Sequence, residues 1–113
     1  LLVKKFCNFA KFITNQNINL IFATVAMMHA PRAWNKKNID NYIEIFIKTN
    51  IKKIIKEDKK KLYKSKYKKN IVGMGIKFEI PKKPLITLNN NFTESLDSLS
   101  EKLLKKIFQK IKN

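Results

Sequence analysis

The chain has 113 residues, 44% of them hydrophobic, which suits one domain with a modest core and argues against two. Its 25 basic side chains against 8 acidic ones give a formal charge of +17. Folding alone gives no reason for so much self-repulsion, so a polyanion is the expected partner. Cys7 and His29 are the only cysteine and the only histidine, which excludes an internal disulfide and a Cys/His metal site. No cofactor is implied.

The first element is apolar and helical in period, with Phe6, Phe9 and Ile13 followed by the block Leu20 to Met28. That block is shorter than the roughly 20 residues of a membrane span. Pro31 is expected to end the element. Next, Ile39, Tyr42, Ile43, Phe46 and Ile47 are spaced as one stripe of an amphipathic helix, with Asn38 as its N-cap and Asn50 as its terminator. Ile51, Ile54 and Ile55 are rich in β-branching and predict a short strand. Ile76, Phe78 and Ile80 alternate with Lys77 and Glu79 and predict a second, closed by Pro81 and Pro84. Leu85 to Leu88 is a further extended piece. From Leu96 to Ile111 the leucine and isoleucine spacing predicts a long helix, with Asn91 and Glu94 as a capping box.

Between the two predicted strands, residues 59–69 carry seven lysines and no acid. Lys59, Lys60, Lys61, Lys64, Lys66, Lys68 and Lys69 suit phosphates, and the interleaved Tyr63 and Tyr67 suit base stacking. Lys82, Lys83 and Arg32, the single arginine, join them as candidate nucleic-acid contacts. A solvated hairpin tip is the plain alternative for the lysine run. Catalysis is poorly served, because nucleophile, base and metal candidates do not cluster. His29 reads as a helix-end or packing residue, Cys7 as a buried apolar one, and most of the acids as solvated or capping groups. Gly73-Met74-Gly75 is a weak phosphate-loop signal ahead of a predicted strand. No enzyme and no small-molecule substrate are therefore expected.

The order helix, strand, basic connection, strand, loop, long helix resembles the type II KH domain of the universal small-ribosomal-subunit protein number three. NIDNYIEIFIKTNIKKIIKE is similar to that family's first helix and strand, GIKFEIPKKPLITL to its second strand and the approach to its nucleic-acid loop, and NFTESLDSLSEKLLKKIFQKI to the helix that follows. The diagnostic GxxG is replaced by Asn89-Asn90-Asn91-Phe92. The resemblance implies an α+β fold, a small sheet packed by two main helices, with residues 38–113 as an RNA-binding domain. Residues 1–37 form an apolar helical extension that contacts protein. It also implies a constituent of a mitochondrial small ribosomal subunit, bound to ribosomal RNA and neighbouring ribosomal proteins, with room for a second chain completing a split protein. A basic accessory subunit of a mitochondrial membrane complex is the alternative. KH topology requires residues 51–55 and 74–80 to pair in one sheet against the helix at 93–112.

Overall fold

Among the residues that the computed structural model describes, 2–25, 28–58 and 76–112, the order of elements is helix, helix, strand, helix, strand, helix. The chain divides into two units, residues 1–43 with 78–81 and residues 44–77 with 82–113.

In the first unit, α1 (Leu2–Thr14) turns Cys7 and Ala10, one helical turn apart, into the interior. Its larger side chains stay out: Phe9 is 57% and Phe12 is 62% exposed. Phe6 packs a tilted ring on Phe22 with centroids 5.9 Å apart, which lays the extended segment after α1 along the helix. The helix closes as the Thr14 hydroxyl donates back to the Ala10 and Lys11 carbonyls, and Asn17, at φ 60°, turns the chain away. The described part of the apolar block, residues 20–25 and Met28, forms no helix, and no helix among the described residues is long and apolar enough to cross a membrane.

Helix α2 (His29–Asn38) packs against α1. Pro31 does not end an element, as its sequence position suggests. It lies in the first turn of α2, where a missing N–H removes no intrahelical bond. Asn38, expected as the N-cap of a following helix, is the last residue of this one, and its Nδ2 donates to the Trp34 carbonyl at 2.8 Å.

The second unit is built on a parallel pair, β1 (Ile45–Lys48) with β2 (Ile86–Asn89), in the register Ile45 to Ile86 and Ile47 to Leu88. Hydrogen bonds from Ile86 N–H to the Glu44 carbonyl and from Asn90 N–H to the Lys48 carbonyl extend the ladder at both ends. Parallel partners cannot be joined by a hairpin, so the chain leaves through α3 (Ile51–Glu57) before returning. Ile86 and Leu88 point into the interior while Thr87 and Asn89 face out, and Leu99 of α4 (Leu96–Ile111) is buried with them. Lys106 of α4 donates to the exposed Thr87 carbonyl at 3.1 Å.

Two expectations are thus exchanged. The helix expected over 39–47 is a strand from Ile45, because its stripe ran through Asn41, whose φ of 55° no α-helix accommodates. The strand expected at 51–55 is helix α3, capped by the Asn50 side chain, which accepts from Lys52 N–H at 2.9 Å. Asparagine both ends and begins helices, and the sequence signal at position 50 was read in the wrong sense. The strand expected over 76–80 is also absent: residues 77–80 have no regular structure, and Glu79 is engaged by α2. The sheet pairs β1 with β2, not 51–55 with 74–80, so KH topology is excluded and the α+β class alone stands. The final helix is present, but Ser95 caps it by accepting from Ser98 N–H, in place of the expected Asn91 and Glu94 pair.

Candidate functional site

Arg32 is the one buried charged side chain among the described residues, 6% exposed. It sits one turn into α2, so that His29, three residues earlier, lies on the same face. One guanidinium nitrogen, Nη2, donates to the Glu79 carbonyl at 2.7 Å and lies 2.7 Å from His29 Nδ1. The backbone N–H of His29 donates in turn to the Glu79 carboxylate. Met28, at the N-cap position, supplies no side-chain cap, so a carboxylate from elsewhere in the chain stands at the positive end of the helix. Two residues one turn apart on α2 are thus tied to a third far along the chain by charge-assisted bonds, and the product is a basic corner at the start of α2.

The other predicted contacts are placed differently. Lys82 and Lys83 are exposed between Pro81 and Pro84. Lys59, Lys60, Lys61, Tyr63, Lys64, Lys66, Tyr67, Lys68 and Lys69 lie outside the described residues. Cys7 is buried, as its apolar reading expects. No group of three or more His, Cys, Asp or Glu among the described residues could hold a metal ion. Glu79 was passed over in the sequence because it stood as the polar member of an alternating run. The available signal was the single histidine and single arginine at a helical spacing of three, beginning at a proline-marked turn.

A further ionic group lies where α4 begins. The exposed Glu94 carboxylate accepts from Lys102 Nζ and, at 3.0 Å, from the Ser98 hydroxyl. The Lys102 hydrogen bond, helped by that from Ser98, holds the carboxyl below its ordinary range.

Comparison with known proteins places the chain elsewhere than expected. The adenylylsulphate kinase family matches residues 2–89. A protein of Campylobacter jejuni subsp. jejuni serotype O:2, named cytidine diphosphoramidate kinase, is 33% identical over 106 residues, which is 91% of this chain and 62% of that protein. The chain thus spans less than two thirds of the length of the curated relative it matches. These matches overturn the ribosomal reading, with its KH family, its ribosomal RNA and ribosomal-protein partners, and they overturn the membrane-complex alternative as well. The expectations of no enzyme and of no small-molecule substrate fall for the same reason. The reason is chemical: the reaction of a kinase family does not require a clustered nucleophile, general base and protein-held metal, because phosphoryl transfer runs mainly on positioning and on positive charge.

Proposed function

The chain belongs to the adenylylsulphate kinase family, and on that premise we propose that it serves in transferring a phosphoryl group to a nucleotide acceptor of the cytidine diphosphoramidate kind. The match over residues 2–89 carries the class of reaction, and the 33% identity to the Campylobacter protein favours that acceptor over adenylyl sulphate. The parallel pairing of β1 with β2 supports a P-loop kinase fold over any hairpin-built one.

The charge of +17 acquires a different partner in this reading. A nucleoside triphosphate and a diphosphoramidate bring several negative charges into one site, and the transferred group spreads charge over its equatorial oxygens. Lys59, Lys60, Lys61, Lys64, Lys66, Lys68 and Lys69, with Lys82 and Lys83, are the residues assigned to those oxygens, and Tyr63 and Tyr67 to a nucleotide base. Arg32, with His29 and Glu79, fixes the start of α2 and is given a positioning role. Gly73 and Gly75 are the chain's two glycines, so no GxxxxGK[ST] lies within these 113 residues and none of them is assigned to such a loop.

The test is a phosphoryl-transfer assay followed by ³¹P NMR, with a nucleoside triphosphate as its magnesium complex and either acceptor. Phosphorylated cytidine diphosphoramidate is the expected product. Turnover of adenylyl sulphate alone would reassign the acceptor, and turnover of neither would sink the reading.

A further inference from the structure

The corner at α2 carries an inference independent of the kinase reading. A guanidinium has five donors and no acceptor, and Nη2 has two N–H groups. One is directed at the Glu79 carbonyl and the other at His29 Nδ1, both at 2.7 Å. Nδ1 must therefore present its lone pair, and the proton of the neutral ring is on Nε2. A ring protonated on both nitrogens cannot receive this bond. It would also set a second positive charge against a guanidinium that is 6% exposed.

The surroundings decide where such a ring would go. On α2 the nearest charged neighbour is Arg32, while Lys36 and Lys37 lie in its last turn and Asp40 just beyond its end. Helix α1, packed against α2, brings Lys4, Lys5 and Lys11 and no acid. The segment 78–81 brings Glu79, whose carboxylate already accepts from the His29 backbone N–H. Neither α1 nor α2 carries an acidic residue, and Glu79 is the carboxylate that meets the start of α2.

We propose that His29, Arg32 and Glu79 form a proton-sensitive latch on the first turn of α2. With the ring neutral, Arg32 spans His29 and the Glu79 carbonyl and the latch is closed. With the ring cationic, the imidazole leaves Arg32 and turns to the Glu79 carboxylate, the guanidinium loses a bond, and the first turn of α2 loosens. Met28 supplies no side-chain cap to hold that turn in the latch's stead.

Because His29 is the only histidine, its ring signals in ¹⁵N-histidine-labelled protein need no assignment. At pH 8 the ring should show an unprotonated Nδ1 and a protonated Nε2. On acidification, ring protonation read from the same signals should coincide with about tenfold faster hydrogen exchange at the amides of Ala33, Trp34 and Asn35, which close the first turns of α2. His29→Gln keeps an acceptor for Arg32 without titrating and should keep those amides slow throughout; His29→Lys should leave them fast throughout. A neutral ring protonated on Nδ1 overturns the proposal. So does ring protonation with no change in α2, or a pH-linked change that survives in His29→Gln.

Discussion

Residues 38–58 and 85–111 carry comparable apolar patterns, yet only the second segment folds as its pattern predicts. In β2 the alternation is real: Ile86 and Leu88 are buried, Thr87 and Asn89 exposed, and the strand shows one face to the interior. In β1 three apolar residues run consecutively, Ile45-Phe46-Ile47, and none of them is fully buried. Such a run has no period of its own. Joined to Ile39 and Tyr42 across a left-handed asparagine, it imitates a helical stripe. Periodicity thus identifies an element only where the backbone between its members is continuous.

Four experiments bear on this contrast. The largest effect is expected in the segment that was read correctly. Ile86→Ala, which empties a site only 3% exposed, should lower the stability of the second unit by about 3 kcal/mol in chemical denaturation, whereas Ile47→Ala, at 55% exposure, should cost well under half as much. Equal losses would mean that β1 is packed as tightly as β2. Asn41→Val comes next. The left-handed backbone there should make a β-branched residue unfavourable by about 1–2 kcal/mol, while a helix through 39–47 would predict little change.

The caps should follow at about 1 kcal/mol each for Asn50→Ala and Ser95→Ala, with helical circular dichroism lost in both. A silent Asn50→Ala would restore the terminator reading of that residue. Smallest is the acid dependence at α4. Glu94 has its carboxyl held below the ordinary range, so its contribution is complete above that range and disappears as pH falls through the depressed value. Being exposed and screened, the group should give a shallow loss of helix signal on acidification, and Glu94→Gln should remove the slope.

The α+β class, the extended piece near residue 86 and the last helix were legible because each rests on uninterrupted local signals. The pairing of β1 with β2 was not, since a parallel partner across residues 49–85 leaves no turn signature in the sequence. At the candidate site, Arg32 was legible as a singular cation, but its burial was not. Nothing near position 32 announces that a carbonyl and a carboxylate from position 79 will meet α2. The basic excess was legible throughout and underdetermined: phosphates in RNA and phosphates on a nucleotide ask for the same lysines.

Asn17 and Asn41 adopt left-handed backbone at φ 60° and 55°, and Phe92 does so at 58°, in a chain with only two glycines. Where most proteins would use glycine to reverse direction, this one uses side chains that restrict the unfolded chain as well. Its turns therefore remove fewer alternatives on folding than glycine turns would, at the expense of local strain that is greatest at Phe92, whose N–H the Asn90 side chain holds at 3.1 Å.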